Sequence, residues 1–177
     1  MNNCKVHGVL RKGDKKYIPG YLYWLDVTRK SGTVDTIMVI SPDGNLTEGS
    51  VHIDGHVRSE YIKDFGVPTF IVPDNIEEGE ADGISETTVT GRIKAKPVCR
   101  NTKRDTPVST ILLITDDGTI PVLLWNGNAK MAASVYDAGD LVTASGRMQS
   151  REYPDKKGNI RIAYELSAKN ICLAEDV

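Results

Sequence analysis

Trp125, Tyr153 and the cations around them are the side chains of this 177-residue sequence whose types and spacing could do chemistry. Arg147, Arg151, Lys156, Lys157 and Arg161 fall within fifteen residues, with Glu152 and Asp155 as the acids among them. A second group, Arg92, Lys94, Lys96, Arg100, Lys103 and Arg104, meets no acid until Asp105. Aromatic faces stack flat rings at ~1–3 kcal/mol each, and cations neutralise a line of phosphates. The chemistry on offer is therefore capture of a polymer, not the making of bonds. Each feature also has a plainer reading. Trp125 can be a core aromatic under a helix, the Arg147–Arg161 stretch a solvated hairpin, and the Arg92–Arg104 group a solvated loop.

Other chemistry finds little support. There is no glycine-rich phosphate loop, no Gly-x-Ser-x-Gly and no His-Glu-x-x-His, so no enzyme is expected. His52 and His56 share a strand pattern with Val51, Ile53 and Val57, which separates them by about 13 Å. With His7 they supply no third close ligand, and neither a metal nor a cofactor is expected. Cys4, Cys99 and Cys172 are scattered and odd in number, as reduced cytoplasmic thiols would be. No run of about 18 apolar residues is present, and Met1–Lys5 lacks the apolar core of a signal peptide. The expected setting is the cytoplasm, with no membrane partner.

The elements that must position these residues read as strands. Val89 and Ile93, Thr110–Ile114, Ile120–Trp125 and Leu141–Met148 are short β-branched runs set off by Asp-Gly, Gly and Pro signals. Ile160, Ile162, Tyr164 and Leu166 alternate with Arg161, Ala163, Glu165 and Ser167, the period of a half-buried strand. Asn128–Ala138 carries Ala129, Met131, Ala132, Val135 and Tyr136 at helical spacing, with Gly139 to close it. Three strands, a helix and two strands is the order of an OB-fold, a small five-stranded barrel.

The first half echoes the second. Val6-His7-Gly8 answers Val89-Thr90-Gly91, Gly32-Thr33-Val34 answers Gly118-Thr119-Ile120, and Gly55–Ser59 answers Gly146–Ser150, with Tyr61 and Tyr153 just beyond. The offsets grow from 83 to 86 to 91, as small insertions in a second copy would produce. Pro73–Asp82, with five acids and no base, reads as a solvated linker. The expected fold is all-β, two tandem OB-fold barrels at residues 1–76 and 84–177, the second with a short helix between strands three and four. The first, with Ser41–Gly49 where the second has its helix, is expected to be degenerate. Tyr21, Tyr23 and Trp24 in that half could stack bases or pack one barrel on another; packing is expected, because residues 1–83 carry 9 Lys+Arg against 13 Asp+Glu. Residues 84–177 carry 13 against 11, so the second half is the better home for a polyanion.

Residues 87–174 resemble the DNA-binding domain of bacterial single-stranded DNA-binding proteins and their primosomal relative. The resemblance rests on Val89-Thr90-Gly91-Arg92-Ile93, on Leu123-Leu124-Trp125-Asn126-Gly127 before the helix, and on Gly146–Tyr153, similar to a Gly-x-Leu-x-x-Arg-x-aromatic block. Asp155-Lys156-Lys157-Gly158 then matches a hairpin tip, followed by a strand with Glu165. Thr119 stands where an aromatic is usual, Tyr153 where Trp is usual, and the family's acidic-tipped tail does not follow. The resemblance implies sequence-independent single-stranded DNA binding in replication, recombination or repair. The implied site is Trp125, Tyr153, Arg147, Arg151, Lys156, Lys157, Arg161, Arg92, Lys94, Arg100, Lys103 and Arg104. It also implies a homodimer, which would reach four OB-folds. RNA binding, contact with replication or recombination proteins, or a protein-interaction role in a replication or mobile-element complex with vestigial nucleic-acid binding are the other readings.

Overall fold

The alternation of buried β-branched residues along short runs closes two barrels end to end. The computed structural model describes residues 1–175, which form eleven strands and one helix. The first barrel comprises β1 (Asn2–Lys16), β2 (Tyr21–Thr28), β3 (Val34–Ser41), β4 (Gly49–Ser59) and β5 (Thr69–Glu78). β1 pairs with β2, β2 with β3, β3 in parallel with β5, β5 with β4, and β4 again with β1. The second comprises β6 (Ser85–Ile93), β7 (Arg100–Asn101), β8 (Pro107–Thr115), β9 (Gly118–Trp125), α1 (Asn126–Val135), β10 (Leu141–Pro154) and β11 (Ile160–Leu173). It closes in the same way through β6–β8, β8–β9, parallel β9–β11, β11–β10 and β10–β6. Both are OB-fold barrels in tandem, and α1 lies between the second barrel's third and fourth long strands. β1 and β6 also pair, from Asn2–Val89 to Val6–Ser85, so hydrogen bonding runs through all eleven strands although each half closes on itself.

The three sequence echoes fall at matching places. Gly8 and Gly91 lie where the first strand crosses the second: a Cβ would meet Asp26 O at 2.6 Å and Ile114 O at 2.8 Å respectively. Gly32 and Gly118 take φ of +91° and +102° in the turns between second and third strands. Gly55 and Gly146 sit at β-bulges, where β4 shifts register against β5 and β10 against β11.

Val6, Leu25, Ile37, Ile53 and Ile71 fill the first barrel, and Val89, Ile111, Val122, Val142 and Leu166 the second, within one contiguous core. A separate cluster forms between the barrels. The β10–β11 hairpin outgrows its own barrel and lays Tyr164 on Leu22, Met38, Ile40 and Phe70 of the first. Trp24 joins it, its ring 5.9 Å from Phe65 and 6.1 Å from Tyr164, while Tyr23 is buried inside the first barrel and its hydroxyl donates to Asp43 O.

Three expectations need correction. The helix runs 126–135, not 128–138. The Pro73–Asp82 stretch is no simple linker: Pro73–Glu78 continue β5, where Ile76 opposite Ile53 keeps the strand pattern beneath the acids. The clean alternation of β11 fails at both ends. Ile160 and Ile162 are exposed at the hairpin tip, and Glu165 and Ser167 are buried, because the hairpin reaches past its own barrel onto the first.

Candidate nucleic-acid interface

Register sorts the β8–β9 pair into two faces. Ser109–Leu124, Ile111–Val122 and Leu113–Ile120 look into the barrel, and Val108–Trp125, Thr110–Leu123, Leu112–Pro121 and Ile114–Thr119 take the other face, where Val108 and Leu123 are themselves buried. Leu112 and Ile114 are exposed there. Trp125 ends β9 in extended backbone and is half-buried. Arg100 lies across from Val108 on β7, and the exposed tip beyond it carries Lys103 and Arg104. This cluster therefore flanks Trp125. At the other end of the face Arg92 lies opposite Ile114 and donates Nη1 to Gly139 O at 3.0 Å. Lys94 is exposed close by, while Lys96 is drawn off to Asp137 at 3.1 Å.

Trp125 also borders a groove of about 800 Å³ with Lys30, Thr87, Arg147, Lys169 and Asn170. Lys30 comes from the β2–β3 turn of the first barrel, so both barrels build this groove. The Gly146 bulge bends β10 along it. Burial, and then the like charge of Arg29, hold the Arg147 guanidinium below its ordinary range, against the pull of Asp35. Its Nε is buried without a hydrogen-bond partner, and so is the Thr87 hydroxyl, on a residue 1 % exposed. Such groups are costly to leave unmet. The Arg147 guanidinium does donate Nη2 to Gln149 Oε1 at 3.3 Å.

Tyr153 lies elsewhere, 38 % exposed on the rim of a second groove formed with Phe65, Val67, Pro68, Pro121 and Ile162. The Arg151 guanidinium lies 5.8 Å from its ring centre. Pro121 and Trp125 share the outer face of β9 about 13 Å apart, which links the two grooves. Lys156 and Lys157 stand exposed at the hairpin tip, whose turn is fixed by Asp155 accepting from the Lys157 and Asn159 amides.

Two of the expected cations are tied to carboxylates. Arg161 donates to Asp155 at 3.1 Å. Arg151 grips the buried Glu165 with two nitrogens, at 2.8 and 3.3 Å, and that carboxylate holds its guanidinium above the ordinary range. Gln149 joins Glu165 at 3.0 Å and receives Arg29, itself paired with the buried Asp35 at 2.7 Å. This chain of charges crosses between the barrels. Lys30 and Lys169 carry no motif that marks them in the sequence. Lys169 sits in the polar return of β11, which closure of the second barrel carries to β9, and Lys30 in the half whose net charge points away from a polyanion; docking of the barrels brings Lys30 beside Trp125.

The profile of the Single-strand binding protein family matches residues 84–174. The single-stranded DNA-binding protein of Clostridium tetani is 30 % identical over 103 residues, covering 52 % of this chain and 71 % of that protein. That of Caldanaerobacter subterraneus subsp. tengcongensis is 27 % identical over 103 residues, covering 52 % and 69 %. The wild-type single-stranded DNA-binding protein of Thermus aquaticus matches in fold along 100 % of this chain and 94 % of that one, with a TM-score of 0.73 and 19 % identity. With the strand order, the helix position and the family profile in agreement, the chain belongs to the single-strand binding protein family.

Proposed function

We propose that this chain binds single-stranded DNA without reading its sequence. The observation that carries this is the inter-barrel groove, where Trp125 stands beside Lys30, Arg147 and Lys169 while Arg147 Nε and the Thr87 hydroxyl lack partners. A base stacked on Trp125 sets its phosphate against these cations. The path continues over the outer β8–β9 face, with Arg100, Lys103 and Arg104 on one flank and Arg92 and Lys94 on the other. It then enters the Tyr153 groove, where Lys156 and Lys157 follow the backbone. Arg151 and Arg161 serve by holding the hairpin in shape. Stacking and phosphate contacts carry no base code, so dT and dA strands bind alike. The expected setting is replication, recombination or repair in the cytoplasm, and a homodimer brings four barrels together.

The test is a tryptophan-fluorescence titration with poly-dT at two salt concentrations. Trp24 and Trp125 are both half-buried, so the Trp125→Ala protein, titrated in parallel, separates the two signals. Trp125→Ala and Tyr153→Ala each weaken binding by ~1–3 kcal/mol. Lys156→Glu with Lys157→Glu weakens it and flattens the salt dependence. Wild-type protein that leaves dT oligonucleotides unbound at low salt refutes the reading.

A further inference from the structure

The first barrel has a basic and aromatic face of its own. β1 extends to Lys16, and its end lies against Tyr21, with Lys12 Nζ 5.9 Å and Lys16 Nζ 5.0 Å from that ring centre. Lys15 Nζ is 5.2 Å from the Tyr17 ring. Across a concavity of about 520 Å³ stand Tyr61 and Lys63, from the loop between β4 and β5. The lining holds three lysines, two tyrosines and Ile18 but no acid; the nearest paired acid is Asp64, 3.1 Å from Lys15. Tyr61 is 68 % exposed, an unusual position for a ring that only packs.

We infer that this patch is a second single-stranded DNA site, which takes the strand after it leaves the Tyr153 groove. The inference rests on the function proposed above. Continuity supports it: Tyr61 and Lys63 line the patch, and Asp64, Phe65, Gly66, Val67 and Pro68 of the same loop line the Tyr153 groove. The acids along that route are paired: Asp64 with Lys15, and Asp155 and Glu165 of the Tyr153 groove with Arg161 and Arg151. The exposed Tyr61 ring favours a nucleic acid over an acidic peptide, because a base stacks on it while lysines meet phosphates; Tyr17 is buried against Phe65 and shapes the floor. The outer face of β2 and β3, by contrast, is closed by Tyr164 and the β10–β11 hairpin, so the first barrel binds through its loops and not through Trp24.

The test compares wild type with Lys16→Glu/Lys63→Glu and with Tyr61→Ala, all at exposed side chains. Each protein is titrated with labelled dT strands of about 8 nucleotides, within reach of one OB-fold, and about 35, beyond it. The short strand binds all three proteins alike. The long strand binds the charge-reversed variant at least ~10-fold more weakly, with a salt slope shallower by roughly 1.4 for two lost phosphate contacts. Tyr61→Ala weakens the long strand alone. Variants that hold the long strand with wild-type affinity and slope overturn the inference and leave the proposed function standing. Wild type that binds neither strand overturns both. Displacement of the long strand's distal end by polyglutamate as readily as by dT makes the patch an acidic-peptide site and also overturns it.

Discussion

Arg151 lies in the most cationic stretch of the sequence, yet its guanidinium is already engaged. It meets Glu165 at 2.8 and 3.3 Å, its own side chain 40 % exposed and that of Glu165 only 3 %. Arg151→Met keeps the apolar stem and removes the charge. Deleting one member of a buried ion pair costs roughly 3–5 kcal/mol, because the other is left enclosed and unmet. Two features lower that figure: water already reaches Arg151 and screens the pair, and Gln149 Nε2 still donates to Glu165 at 3.0 Å. The expected loss is about 2–3 kcal/mol. Equilibrium unfolding in urea reads it as a midpoint lowered by just under ~1 M, for a slope near ~3 kcal/mol/M that the substitution leaves alone. Below the transition, poly-dT binding keeps its wild-type salt slope, whereas a lost phosphate contact would flatten it by about 0.7. A variant of wild-type stability with a flattened slope would refute the assignment and make Arg151 a DNA contact.

Gly146→Ala and Gly55→Ala should both destabilise the fold strongly, since the added Cβ would lie 2.0 Å from Ser167 O and 2.3 Å from Val72 O, backbone atoms that cannot swing aside; thermal melts that match wild type for either would contradict the bulge geometry. Cys4 is buried 4 % exposed at the barrel wall, and burial first, then Asp74, pushes its thiol up to about 12 from 9.0. The raised value adds stability that is present below about pH 9 and is lost as pH rises toward about 12. Between pH 8 and pH 10.5 wild type should lose roughly 2 kcal/mol more than Cys4→Ala, measured by urea unfolding at each pH; equal losses would show that the thiol ionises freely in the fold. The same burial predicts that alkylation at pH 8 labels exposed Cys172 and spares Cys4 until the protein unfolds.

Local chemistry carried most of the architecture into the sequence. β-branched runs, Asp-Gly turns and the small-residue helix before Gly139 each act over a few residues, and so the strands of the second barrel and its helix were readable to within a few positions. The echoes were readable because glycine is demanded wherever a bulge or a strand crossing leaves no room for a Cβ, and that demand recurs in each barrel. The end of β5 is hidden in the sequence for the opposite reason: five acids outweigh one Ile76 in composition, but in a strand their side chains simply point to water.

The candidate site is legible in the sequence only in its aromatic and hairpin parts. Trp125 and Tyr153 announced themselves through motif and register, since alternation along β9 sets the side on which Trp125 lies. What the sequence by itself determined is the strand pattern, the order of elements and therefore the two barrels. The docking of one barrel on the other was decided only in three dimensions. It put Lys30 beside Trp125, linked Arg29 to the Gln149–Glu165 pair, laid Tyr164 against Trp24, and ran one loop from Tyr61 to the Tyr153 groove. Those relations join residues up to 140 positions apart, and pairwise charge and packing at such separations leave no periodic trace along the chain.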